Sequence, residues 1–425
     1  MRLFDLLAIL TVMAAAFSYV NFRLMKLPTT IALMAMSLVF SLSLFSLGTV
    51  FPGVAQQTRA IVGALELDEV LLHGMLGFLL FAGALHIDLD DLIQQKEPIA
   101  MLATLGVMLS TVIVAVLLWS LLALLGIGLR FVDCLLFGAL ISPTDPVAVL
   151  GLLKQLGAPK ALEIQIAGES LFNDGVGVVL FMGLLEYSTS SVDLSAGYFV
   201  SLFLREAVGG VVFGMAISLF AYRLLKSVDN YQVEILLSLA LVWGGSTLAD
   251  AIHVSGPIAM VVAGLFIGNQ GRSFAMSKTT TEHLDLFWEL VDEVLNAVLF
   301  VAIGLELLIL TLTASYLLAG LLGIVTVLLA RLLSVGLPVW LLRRSEQFDP
   351  SLVPLLTWGG LRGGISVALA LSIPTGAADH LLRRDLILVI TYVVVVFSML
   401  VQGVTLGPIT RRWLSWSQVG AIEPQ

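Results

Sequence analysis

Apolar runs of about 20 residues follow one another along nearly the whole chain, each long enough to cross the hydrocarbon core of a bilayer. Lipid offers backbone N–H and C=O groups no partner, so runs of this kind must be helices that satisfy their own hydrogen bonds. With 59% hydrophobic residues, 12% charged residues and a mean hydropathy of +1.04, the 425 residues describe an all-α integral membrane protein. Thirteen spans are expected, near 3–21, 28–50, 68–87, 98–125, 132–153, 162–187, 197–224, 232–252, 254–271, 286–311, 314–342, 353–373 and 385–410.

Lys and Arg collect in cytoplasmic loops, so a correct span count should divide them unevenly. With the N-terminus outside and the C-terminus cytoplasmic, thirteen basic residues fall on the inner side. The outer side holds five: Arg2, Arg59, Arg130, Arg383 and Arg384. Arg205, Arg331 and Arg362 lie within spans. The longest stretch between spans is Phe51 to Leu67, too short for a soluble domain. Met1 to Val20 has the length of a secretory signal, but acidic Asp5 and the lack of a small-residue cleavage site favour a first span. Topology accounts for the basic residues, so nucleic acid is not an expected partner. The lone Cys134 rules out a disulfide within the chain and a cysteine metal site, and no cofactor is expected. A multi-pass protein of the cell membrane, in contact with lipid throughout, follows.

Three spans carry residues that apolar helices avoid. The fifth reads Ser142-Pro143-Thr144-Asp145-Pro146-Val147, and two prolines three residues apart break the backbone ladder. Asp145 precedes a proline and is pushed out of helical geometry, so that Thr144 or Asp145 can cap a second half-helix with Pro146 at its start. Broken helices at mid-membrane are places where transporters bind ions. In the sixth span Glu169, Asn173, Ser170 and Asp174 fall at about 0°, 40°, 100° and 140° around the helix, one polar face, with Gly177 a notch on it at about 80°. The broken fifth span is the expected neighbour in that notch. The twelfth span contains Gly359-Gly360-Leu361-Arg362-Gly363-Gly364, whose Gly359/Gly363 and Gly360/Gly364 pairs suit tight helix packing. Arg362, Glu169 and Asp145 lie at similar depth, which predicts an Arg362–Glu169 ion pair, while Asp174 sits deeper with no dedicated counter-ion.

Removing a carboxylate from water disfavours its charged form, so a proton and a small cation compete for one acid. If that acid is exposed to each side in turn, and only occupied forms move, cation and proton are exchanged. Asp174, Asp145, Thr144, Ser170 and backbone carbonyls supply oxygen ligands for a hard monovalent ion, with Na⁺ the first expectation, Li⁺ fitting as well, and K⁺ left open. A cation channel would use similar residues, and an intramembrane aspartyl protease would need two activated acids. A single deep acid beside broken helices favours exchange over either, and no enzymatic activity is expected. The fifth and twelfth spans, seven apart, cross in opposite directions, as in inverted repeats built from spans 4–6 and 11–13.

Thr144-Asp145-Pro146, Glu169-Ser170-Leu171-Phe172-Asn173-Asp174 and Gly359-Gly360-Leu361-Arg362-Gly363-Gly364 resemble the signature segments of NhaP/NHE-type sodium/proton antiporters, the cation/proton antiporter-1 branch. Trp243-Gly244-Gly245 through Asp250 and Asn296-Ala297-Val298-Leu299-Phe300 through Glu306 extend the likeness over nearly the whole chain. The resemblance implies an NhaA/NhaP-like fold of crossed, broken helices in a homodimer. Its core domain would come from 98–187 and 314–410, and its interface domain from the remaining spans, including 3–50 and 197–252. It implies Asp174 as the shared cation and proton site, with Thr144 and Ser170 as Na⁺ ligands. Asn173 and Asp145 would stabilise the crossing, and Glu169 would pair with Arg362. Relatives with Asn-Asp in the sixth span are typically electroneutral, which implies one Na⁺ for one H⁺ here. One departure stands out: Ala82 occupies a position where many members carry Glu. Asp292, Glu293 and Glu306 flank or enter the tenth span; Glu293, toward the cytoplasm, is read as a funnel charge or a solvated helix end.

Overall fold

Helices make up almost all of the computed structural model, which describes residues 3–50, 70–189, 196–342, 352–374 and 383–420. Phe51 to Leu67, and the basic residues Arg2, Arg59, Arg343 and Arg344, lie outside the described residues. Among the described residues eight helices are long and apolar enough to cross a membrane. Helix α1 (Leu3–Val20) and α2 (Thr29–Val50) are followed by α3 (Leu76–Leu85) and the short α4 (Leu89–Gln94). One rod then contains α5 (Lys96–Met101), a π turn at Leu102–Gly106 and α6 (Val107–Leu124). The broken fifth span is α7 (Phe131–Ile141) and α8 (Val147–Leu156), while the sixth is the unbroken α9 (Lys160–Thr189). Next come α10 (Ala196–Leu225), α11 (Tyr231–Ala251), α12 (Gly256–Phe266), α13 (Lys278–Glu306) and α14 (Ala314–Leu342). A second broken pair, α15 (Leu352–Trp358) and α16 (Gly364–Leu371), precedes α17 (Arg384–Phe397), a π turn at Ser398–Gln402 and α18 (Gly403–Gly420).

The helices pack in two groups. In one, α3, α10, α11, α12 and α13 share an apolar cluster that includes Phe81, Ala82, Met260 and Trp288. Phe81 and Trp288 meet with ring centroids 4.7 Å apart, and the Trp288 indole N–H donates to Ser238 Oγ at 3.0 Å. Burying the indole requires such a partner. Helices α1 and α2 lie against α13. In the other group α6, α7, α9, α14, α16 and α17 pack around one another, with α8, α15 and α18 joined to α9 and α14 through a separate apolar cluster.

The order helix, broken helix, helix thus occurs twice, as α6, α7/α8, α9 and as α14, α15/α16, α17. Helix α7, which leads into the first break, packs on α16, which leaves the second, so the two broken spans run in opposite directions. The breaks touch. Asp145 N–H donates to Leu361 O at 2.8 Å, and Arg362 Nη1 donates to the carbonyls of Ser142 at 2.5 Å and Pro143 at 2.9 Å. Those carbonyls are left over where α7 stops, and a cation is favoured at the C-terminal end of a helix. The π turn before α18 shifts register so that Ser398 Oγ accepts Arg362 N–H at 2.9 Å and Gln402 Nε2 donates to Trp358 O at 2.9 Å.

Two expectations about glycine and charge change here. Gly359 to Gly363 are not on a helix but form the break itself, so the paired-glycine faces do not exist. What the glycines permit is close approach: a Cβ on Gly363 would strike the Asp145 carboxylate, and one on Gly360 would lie 2.6 Å from Arg331 Nε. Gly177 meets the fifth span as its notch predicts, with the Pro143 ring seated where a Cβ would be. Glu169 pairs with Arg331 of α14, not with Arg362: Arg331 Nη1 and Nη2 each donate to one carboxylate oxygen, the second at 3.0 Å. Arg362 is turned toward the orphan carbonyls of the first break, and Arg331 reaches Glu169 instead.

Gly177→Ala should push the Pro143 ring away and cost about 1–3 kcal/mol, whereas Gly244→Ala, with open space at its Cβ, should be neutral or stabilising by up to about 1 kcal/mol; thermal melts in detergent compare the two. Leaving either member of the Glu169–Arg331 pair alone should cost about 3–5 kcal/mol. A double-mutant cycle should then give a coupling of about 1–3 kcal/mol for positions 169 and 331, and a much smaller one for 169 and 362.

Candidate functional site

A cavity of about 610 Å³ opens between the two helix groups. One wall is α3 and α13, through Leu79, Leu80, Gly83, Asp292, Asn296 and Leu299. The other is the first break, the polar face of α9 and the start of α16. Its mouth carries Asp88, Asp91, Lys154 and Lys160, with Lys160 exposed and paired to Asp91. Its foot is Asp174 with Thr144, Asp145 and Ser170. Past Asp174, α9 enters the large apolar cluster through Val178 and Phe181, beside Leu140 and Phe300, so the described cavity reaches the acid from one side.

The side chains at the foot divide into those that hold the break and one that does not. Asn173 does the holding: its Oδ1 accepts Thr144 N–H at 3.2 Å and its Nδ2 donates to Thr144 Oγ1 at 2.9 Å. Ser170 Oγ donates to Thr144 O. Asp145 Oδ1 accepts Val147 N–H at 3.0 Å, the cap at the head of α8 that its place before Pro146 predicts. Both hydroxyls keep lone pairs, since Thr144 Oγ1 accepts one bond and Ser170 Oγ donates one.

Asp174 is different. It is buried, and among the described residues no group donates to its carboxylate and no Lys, Arg or His pairs with it; the charge nearest in effect is the like-charged Asp145. An isolated acid at this depth is a site for something that arrives. Among the described residues no three His, Cys, Asp or Glu side chains gather closely enough to hold a metal ion between them. The oxygen atoms around the foot are one unpaired carboxylate, two hydroxyls and backbone carbonyls.

The break and the polar face bring Thr144, Asp145, Ser170, Asn173 and Asp174 together, while Glu169 and Arg362 stand behind them as parts of the scaffold. Ala82 is packed in the α3–α12–α13 apolar cluster and is not among the residues of the cavity wall. Two participants were not assigned from the sequence. Arg331 carried a signal, a lone cation inside an apolar run. Asp292, given no role among the acids that flank or enter the tenth span, lines the cavity, while Glu293 beside it is exposed and does not.

The transmembrane sodium/hydrogen exchanger family model matches residues 9–412. The Na⁺/H⁺ antiporter NhaP of Pseudomonas aeruginosa is 48% identical over 421 residues, covering 96% of each chain. The Na⁺/H⁺ antiporter NhaH of Halobacillus dabanensis is 34% identical over 395 residues, 92% of this chain and 93% of that one. A solved structure of the sodium proton antiporter MjNhaP1 from Methanocaldococcus jannaschii at pH 8 has a TM-score of 0.71 to this fold at 18% identity, covering 96% of this chain and 97% of that one. The crossed breaks, the lone acid at their foot and the match along nearly the whole length agree: the chain belongs to the sodium/hydrogen exchanger family.

Proposed function

We propose that this chain is a secondary transporter that exchanges Na⁺ for H⁺ across the cell membrane by alternating access, with Asp174 as the site both ions share. The observation that carries the reading is the Asp174 carboxylate, unpaired among the described residues at the foot of the cavity and next to two hydroxyls bound to a broken helix. A permanently paired acid would have nothing to exchange. Relatives named as Na⁺/H⁺ antiporters support the choice of ions. Thr144 and Ser170 complete the cation's shell, Asp145 borders it, and Asn173 keeps Thr144 in place. Li⁺, smaller and equally hard, is carried as well.

The direction of the cavity supports a cytoplasm-facing state, with thirteen spans, the N-terminus outside and the C-terminus inside. Two packing groups separated by the cavity are the natural moving parts. The group of α6 to α9 and α14 to α18 is the core that carries the site. The group of α3 and α10 to α13, with α1 and α2, forms the second domain and the face of a homodimer. Rocking one against the other takes Asp174 from one side to the other. With Asn173 neutral and Asp174 the acid without a donor, one Na⁺ replaces one H⁺ and no net charge moves.

In vesicles loaded with a pH-sensitive dye, Na⁺ and Li⁺ should each release the proton gradient and K⁺ should not. Asp174→Asn should lower Na⁺-driven proton movement by about a hundredfold or more while leaving a folded protein. Clamping the membrane potential at different values should leave the wild-type rate unchanged; a rate that follows voltage would contradict one-for-one exchange.

A further inference from the structure

The cavity has a polar station that the site at Asp174 does not use. Asp292 and Asn296 are four residues apart on α13, hence on one face of the helix, and both line the cavity wall opposite α9. Asn296 lies one turn from Asp292, and the carboxylate of the other helix group whose field reaches Asp292 is Asp145. Asp292 is half-buried on α13 beside exposed Glu293, and Leu299 follows Asn296 one turn on. Ser366, on α16, lines the same cavity. Ser366 is 1% exposed, and its Oγ has no hydrogen-bond partner among the described residues. A buried hydroxyl without a partner inside a cavity is costly unless something visits it.

We propose that Asp292, Asn296 and Ser366 form a waiting site for the transported cation, from which it passes to Asp174. The inference rests on the exchange reading above and assigns it a residue that sets cation affinity. Asp292 belongs to the helix group of α3 and α13, while Asp145 and Asp174 belong to the other. In the open state a cation, with part of its water, is held between Asp292 and the side of the break. It leaves Asp292 behind when the core moves. Asp292 raises the local concentration of cations at the acid and takes no part in the proton's departure.

The test uses the purified full chain in liposomes, with Na⁺ and Li⁺ as the probes, and reads half-saturating concentration and maximal rate separately. Asp292→Asn should raise half-saturating Na⁺ about tenfold with the maximal rate kept within about twofold, the pattern of a lost binding interaction. Asp292→Glu should restore most of the affinity, and Ser366→Ala, which changes no charge, should raise half-saturation about threefold. Should Asp292→Asn fold poorly, Ser366→Ala decides the matter alone. Unchanged half-saturation in folded Asp292→Asn or in Ser366→Ala, or a lower maximal rate at unchanged half-saturation in either, overturns the waiting site. Wild-type exchange that Asp174→Asn abolishes keeps the exchange reading in either case, and a wild type without Na⁺-driven proton movement removes that reading itself.

Discussion

Breaking a helix in the middle of a membrane exposes backbone groups that lipid cannot satisfy, and the whole structure is arranged around meeting that cost. Here two breaks meet each other's needs. The end of α7 gives up the carbonyls of Ser142 and Pro143, and Arg362 of the second break supplies the donors. The Asp145 N–H finds Leu361 O, Thr144 is held on three sides by Asn173 and Ser170, and the last span contributes Ser398 and Gln402 through a π turn. Neither break could persist alone at this depth. Glycine at 177 and 363 is what lets them come close enough.

Once the scaffold has used its own charges, the chemistry is defined by what is left over. Glu169 is taken by Arg331, Arg362 by carbonyls, and Asp145 in part by its cap on α8. Asp174 has no such partner among the described residues. A buried charge without a partner is expensive, and a proton or a cation relieves the expense. Occupation by one or the other is, in the proposed reading, the low-energy condition of the site. An empty, charged Asp174 at the moment of crossing between sides would meet the full cost, which gives a physical reason for coupling the two ions.

Much of this was legible from residue types alone. Prolines 143 and 146 mark the break and the cap, because proline forbids the alternatives. The helical angles of residues 169 to 174 give the polar face, and Gly177 on it gives the neighbour. The partner of Glu169 was not legible, because position along a span gives depth but not the rotation and tilt that decide which of two arginines reaches it. The role of the glycines in the twelfth span was misread for a related reason: a helix with small faces and a break with close approaches use the same residues, and only the contacts of Gly360 and Gly363 separate them. Asp292 drew no role because sequence alone does not give the rotation of its helix, and α13, which begins at Lys278 and not near 286, turns it to the cavity and leaves Glu293 exposed. Ala82 stood out as a missing acid, yet its side chain is part of an apolar contact between helices and not of the cavity wall.

The central claim is that one carboxylate holds a cation or a proton and never both, and proton release on cation binding tests it most directly. Purified protein in weakly buffered detergent near neutral pH, titrated with Na⁺, should release up to one H⁺ per Na⁺ bound, and a pH-indicator dye together with calorimetry can count both. The account predicts that the release is saturable, approaches one for one as the pH is lowered, and disappears in Asp174→Asn. Na⁺ binding that releases no proton at any pH, or release that persists without Asp174, would contradict it.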